Sequence, residues 1–264
     1  MRLERPNTSK RAQQSLLGQV AWLAALWLSG MLALTACGDN PTTAPSNTVV
    51  PPTATIAPPT AQVIAKQSAD NLTAADSLHF NFLVKQGKAQ IIPSVDVKSA
   101  DGDYSKPDKY TAALKVGVLG GKLDANTIGV GSKQWVIIKG FKDSWTELAA
   151  GSGFNAAVLF DPQKGIGPTV QKAQDLKLVG NETIDGVDCW HLQGVSSGPD
   201  IAAIIPFSAG KNDVAFDLWS GKQDLLTREV LFKEKTPDPA DPNGSIWELH
   251  FSNFNKAVTI TPPV

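Results

Sequence analysis

The chain has 264 residues, with 24 lysines and arginines against 25 aspartates and glutamates and a formal net charge of -1. That balance argues against a nucleic-acid binder, which normally carries a basic stripe. With 42% hydrophobic residues and two cysteines, Cys37 and Cys189, the composition is globular and excludes a disulfide framework or cysteine-rich zinc site.

The N-terminus carries Arg2, Arg5, Lys10 and Arg11 against Glu4, and then no charge from Ala12 through Gly38. An apolar run from Val20 to Leu28 continues through Met31, Leu32 and Leu34. A basic start before an apolar run is the pattern of a secretory signal. The run is also long enough to span a bilayer, which takes roughly 20 apolar residues. It stops at Leu34-Thr35-Ala36-Cys37, which resembles a bacterial lipobox. The resemblance implies a diacylglyceryl thioether on Cys37, cleavage before it and a mature chain starting there. An uncleaved anchor helix and ordinary cleavage after Ala36 are the alternatives. Residues 39–60 hold six prolines and six threonines, with Asp39 as their single charge. Such a stretch buries no core and extends at ~3.1 Å per residue, as a polyproline-like spacer does. Residues 1–36 are therefore expected to be a lipoprotein signal peptide, and residues 37–60 a lipidated tether. Without the four basic residues and one acid of 1–36, the chain keeps 20 basic and 24 acidic residues, net -4.

Residues 61–264 read as one mainly β domain. Ala61–Ala75 is the first helix candidate, with Val63, Ile64 and Leu72 near one face and Lys66 and Asp70 near the other. The period then changes to two. Leu78, Phe80, Phe82 and Val84 alternate with His79, Asn81, Leu83 and Lys85, and Tyr110, Ala112, Leu114, Val116 and Val118 alternate likewise. Gly120-Gly121 provides a hairpin turn into Leu123–Val130, and Gln134–Ile138 is another short strand. A helix is expected within Gln163–Leu178, starting near Pro168 and carrying Val170, Ala173 and Leu176. Val187–Val195 is a strand, and Asp200–Ile205 a short helix that Pro206 ends. Val214–Trp219 and Leu225–Lys233 follow, joined by Ser220-Gly221-Lys222 as a tight hairpin, and Ile246–Phe254 is the last strand. Thr236–Gly244 is a loop. Short strands with turn signals describe an antiparallel sheet, not βαβ units.

Gly194-Val195-Ser196-Ser197-Gly198 fits the G-x-S-x-G pattern of a nucleophile elbow, with Asp217 or Asp224 and then His250 in the expected order. Hairpins on both sides contradict an α/β-hydrolase, so a small-residue turn is the simpler reading. His79, His191 and His250 all lie on predicted strands and form no H-E-x-x-H pair. Asp101-Gly102-Asp103 lacks the remaining ligands of a calcium loop, and Gly165-Ile166-Gly167 lacks the third glycine of a dinucleotide site. Cys189 reads as a buried small hydrophobe. No catalytic residue, metal or cofactor is expected. A large sheet with one apolar face and few helices must still be covered by something.

The order of features resembles the LppX/LprA/LprF/LprG family of exported lipoproteins. The matching string runs from the lipobox through Ser77-Leu78-His79-Phe80, Lys106-Pro107-Asp108-Lys109-Tyr110 and Trp145. It continues with Asp161-Pro162, Val179-Gly180-Asn181-Glu182-Thr183-Ile184-Asp185-Gly186-Val187 and Asp217-Leu218-Trp219. The resemblance implies a strongly curved, unclosed antiparallel half-barrel with short helices on its concave face, similar also to LolA and LolB. It also implies an apolar cavity for acylated lipids or lipoglycans carried in the cell envelope. By alternation and helical face, the expected lining is Phe80, Phe82, Leu114, Val116, Val118, Ile201, Ile204 and Ile205. The membrane is a second partner through lipidated Cys37, on the extracytoplasmic side. An envelope sensor or assembly protein that uses the same groove for a transporter or another protein partner is the rival reading.

Overall fold

Helix α1, Ala61–Ala74, starts where the prolines stop, and the Thr60 side chain accepts a hydrogen bond from the Val63 amide as its N-cap. The computed structural model describes residues 58–263 apart from 93, 119, 142, 154, 206–211 and 235–243. Cys37, the signal and nearly all of the tether lie outside the described residues, as do Pro206 and most of the Thr236–Gly244 loop. The helix buries Ile64, Ala65, Ser68, Ala69 and Leu72. Val63, expected on that face, is instead 44% exposed.

The strands are β1 Ser77–Gln86, β2 Gln90–Ile92, β3 Val95–Ser105, β4 Lys109–Val118, β5 Gly121–Val130 and β6 Lys133–Ile138. They continue with β7 Thr146–Glu147, β8 Gln174–Ile184, β9 Val187–Ser196, β10 Val214–Gly221, β11 Thr227–Glu234 and β12 Ile246–Ser252. All pair antiparallel in one sheet of order β7-β6-β5-β4-β3-β1-β12-β11-β10-β9-β8, with β2 as a side pairing on β3. The two ends, β7 and β8, do not meet, so the sheet is unclosed. From β1 the chain moves by hairpins to the β7 edge, crosses to the β8 edge, and returns by hairpins to place β12 beside β1. The crossing segment carries a 3₁₀ turn, Ala156–Phe160, and α2, Ile166–Gln171; α3, Gly198–Ile204, lies in the β9–β10 connection. These short helices cover the apolar concave face, packing on α1, β4 and β9.

Two glycines are set by close approach. A Cβ on Gly167 of α2 would sit 2.6 Å from Thr73 Oγ1 and 3.0 Å from the Ala69 carbonyl oxygen of α1. A Cβ on Gly102 would lie 1.9 Å from the Thr111 carbonyl oxygen on the neighbouring strand. Bare backbone at these points lets α2 settle on α1 and β3 on β4.

Three expectations are corrected. The helix within Gln163–Leu178 is confined to Ile166–Gln171, and from Gln174 the chain is strand β8. Pairing with β9 along its length overrides the weak helical pattern of an exposed segment. Strands β2, β3 and β7 were not anticipated, and Asp101-Gly102-Asp103 is strand rather than loop. The β10–β11 turn is also longer than Ser220-Gly221-Lys222, because Leu225 takes a left-handed φ of 50° and Asp224 Oδ1 accepts from the Leu226 amide.

Candidate ligand-binding interior

The concave face is a continuous apolar layer. Phe80 and Phe82 enter it from β1, Leu114 and Val116 from β4, and Ile201, Ile204 and Ile205 from α3 and its end; all are buried in one cluster. Val118 is partly buried against the same cluster. The structure thus brings all eight expected lining residues to one interior. At its centre lies Phe160, which the sequence reading missed. Its ring is 5.9 Å from Phe80, 4.4 Å from Tyr104 and 6.0 Å from Phe251 between centroids. Burial, with the charges of Asp108 and Asp161, pushes the Tyr104 hydroxyl up to about 12, so it stays neutral.

A cavity of about 410 Å³ opens at one side of this interior. Tyr110, Val158 and Ile204 supply apolar surface, Ser132, Gln134 and Asn155 supply neutral polar groups, and Lys133, paired with Glu147, adds a cation. Ile204 is the one expected residue that lines it. Tyr110 lies across Gly129, where a Cβ would meet its ring at 2.0 Å. Asn155 caps the 3₁₀ turn by accepting from the Ala157 amide at 3.0 Å. That cap before an apolar run was the available sequence signal for this wall.

The serine motif does not assemble. Ser196 is 2% exposed, and its hydroxyl faces inward to the Thr169 carbonyl oxygen at 3.5 Å. The alternation of β9 puts Ser196 on the same face as Leu192, whereas His191 and Gln193 point to the opposite face. His250 alternates with buried Leu249 and Phe251, so it also faces away. Cys189 is buried, its thiol directed to the Val187 carbonyl at 3.4 Å, and burial pushes its ionisation up.

Comparison with known proteins agrees with this geometry. The family model described as LppX_LprAFG lipoprotein matches residues 60–260. The chain belongs to the LppX_LprAFG lipoprotein family. Lipoprotein LprA of Mycobacterium tuberculosis is 24% identical over 211 residues, covering 76% of this chain and 81% of LprA. The crystal structure of LprF from Mycobacterium bovis is similar with a TM-score of 0.64 at 17% identity, over 77% of this chain and 96% of LprF. That of Mycobacterium tuberculosis LppX gives 0.55 at 16% identity, over 76% of this chain and 98% of LppX. No helix among the described residues is long and apolar enough to cross a membrane.

The residues that carry the LppX_LprAFG pattern hold turns and anchor the sheet. Tyr104 donates its hydroxyl to the Pro107 carbonyl at 2.9 Å in the β3–β4 turn. Asp161 Oδ1 accepts from the Gln163 and Lys164 amides. Asp185 and Gly186 take φ of 48° and 80° in the β8–β9 hairpin, as a type I′ turn needs. Asp217 accepts from His191 Nε2 at 2.7 Å, Gln193 at 2.8 Å and Lys233 at 2.9 Å. Burial raises the Asp217 titration, but the hydrogen bonds from Lys233, Gln193 and His191 outweigh it and hold the carboxyl below its usual value. A depressed folded value stabilises above the unfolded one, near ~4, and that contribution is lost as pH falls through the folded value. Asp217→Asn is therefore expected to cost roughly 2 kcal/mol at neutral pH. The gap between variant and wild type should narrow in acid, as measured by urea unfolding across pH. A gap independent of pH would contradict the role given to this carboxylate.

Proposed function

We propose that this protein is a membrane-anchored carrier that binds an acylated lipid or lipoglycan beneath the concave face and moves it within the cell envelope. The observation that supports the reading is the apolar interior between sheet and short helices, with a cavity of about 410 Å³ beside it. Small-ligand pockets span about 300–1,000 Å³, so the cavity beside the interior has room for part of an acyl chain. A longer chain requires α3 and the 3₁₀ turn to part from the sheet. Phe80, Phe82, Leu114, Val116 and Val118 would then form one wall, and Ile201, Ile204 and Ile205 the other. The hydroxyl and amide groups at the cavity, together with Lys133, suit a polar headgroup. Acylated Cys37 would hold the domain on the extracytoplasmic face, with residues 37–60 as its tether. A Ser196–histidine nucleophile pair forms no part of this reading, because no histidine shares the face of Ser196.

The test is mass spectrometry of organic extracts from gently purified protein, paired with lipid uptake by delipidated protein. A stoichiometric acylated species is expected. Extracts free of lipid, together with no uptake, would sink the carrier reading.

A further inference from the structure

The sheet face turned away from the helices carries all three histidines, each beside carboxylates. Two of these groups are accounted for by their own contacts. His79 lies 2.9 Å from Asp103 and 3.5 Å from Asp101, whose side chains are 39% and 58% exposed. His191 is held at both ring nitrogens, by Asp217 at 2.7 Å and Glu182 at 2.8 Å, and stacks on Trp219.

The third group is different. His250 on β12 sits directly opposite Glu229 on β11, and Glu248 lies two residues earlier on the same strand and face. One donor atom from each of Glu229, Glu248 and His250 lies within 4.8 Å of the other two. His250 Nδ1 is 3.7 Å from Glu229 Oε2, and Nε2 is 3.3 Å from Glu248 Oε1. Glu229 is only 9% exposed. Among the described residues its carboxylate accepts no hydrogen bond, and its one ion-pair contact is the long one to His250. Two carboxylates this close to each other repel unless positive charge lies between them.

From this geometry we infer a binding site for a divalent cation of the zinc class, held by the carboxylates of Glu229 and Glu248 and a ring nitrogen of His250. The imidazole selects such an ion over magnesium or calcium, which take oxygen ligands. Zinc accepts nitrogen and carboxylate donors at about 2.0–2.2 Å, with solvent free to complete a tetrahedron. Because Nδ1 now faces Glu229 and Nε2 faces Glu248, the imidazole and carboxylates must turn to bring a single ring nitrogen and both acids onto one ion. Lys85 Nζ, 3.2 Å from Glu248 Oε2, is the competing cation that the metal displaces. The ion adds positive charge between Glu229 and Glu248 and clips β11 to β12 in the middle of the sheet. The site lies on the opposite face from the proposed lipid interior and does not depend on it.

The test is calorimetric titration of zinc chloride into the full chain, purified in detergent without a histidine tag, with magnesium chloride as comparison. Saturable binding of one zinc per chain is expected, with magnesium binding far more weakly. His250→Gln and Glu229→Gln should each weaken zinc binding by at least about tenfold, since even outer-shell substitutions cost that much. Glu229→Gln keeps the side chain's shape and removes a buried charge, so its metal-free melting temperature should not fall. Lost zinc binding with retained stability distinguishes a ligand from a merely structural residue. If Glu229→Gln does melt early, His250→Gln at a partly exposed position carries the comparison. Absence of saturable zinc binding in the wild type, or unchanged affinity in the folded variants, overturns the assignment.

Discussion

Phe160→Ala is expected to destabilise the folded domain by about 3–5 kcal/mol, the range for truncating a buried aromatic side chain. In a domain of this size that lowers the melting temperature by roughly 6–20 °C. Phe160 is 4% exposed and stands against three aromatic rings: Phe80 of β1, Tyr104 of β3 and Phe251 of β12. Those strands are consecutive at the centre of the sheet, so the ring fastens the chain crossing to the middle of the concave face. Its neighbours sit on paired strands and cannot all collapse into the space left behind. Thermal melts followed by circular dichroism check the value. A loss under ~1 kcal/mol, the level of an ordinary substitution, would mean the crossing is not fastened there.

What the sequence disclosed follows from where each strand lies. In β4, Tyr110, Ala112, Leu114 and Val116 alternate strictly because the strand has paired neighbours on both sides and one buried face. Strand β3 is just as central, yet its inward positions are Val97, Ala100, Gly102 and Tyr104, with a register shift between Val97 and Ser99. The close approach of β4 demands glycine at 102, so the sequence there looks like a turn. Strand β8 is an edge, mostly exposed, with Val179 46% exposed, and nothing forces alternation on it. Its one clear signal was Asp185-Gly186, a hairpin dipeptide with strand on either side.

The candidate sites divide the same way. The apolar interior was legible because alternation alone assigns a face. The cavity was not, because its wall is a loop brought over β4 by the crossing between distant sheet edges. The Glu229–Glu248–His250 cluster was passed over for a geometric reason. Helical metal motifs space their ligands four residues apart on one helix face, whereas strands bring together residues two apart and their cross-strand partner. Glu248 and His250 meet the first condition, and Glu229 enters only through the β11–β12 register.

The other large effect concerns Cys37, whose role rests on the sequence of Leu34–Cys37. Cys37→Ser is expected to abolish fatty-acid labelling and block processing before residue 37. A thiol forms the thioether because sulfur ionises and attacks readily, while a serine hydroxyl does neither near neutral pH. The apolar run from Val20 to Leu34 is untouched by the change, so export should continue. Anchoring should not, because stable attachment needs two acyl chains, each buried methylene contributing about 0.8 kcal/mol. Folding should be indifferent to the substitution. The first described helix begins at Ala61, capped by Thr60, and its buried face packs into the core of the described domain. The melting transition of the variant should therefore match the wild type within about 0.5 kcal/mol. Metabolic labelling with a fatty acid, followed by N-terminal analysis of the mature chain, reads the outcome. Continued labelling and cleavage at the same residue would refute the lipobox. A folded, unlabelled variant that no longer acquires lipid would place the loading step at the bilayer surface, where a lipid on Cys37 would hold the domain.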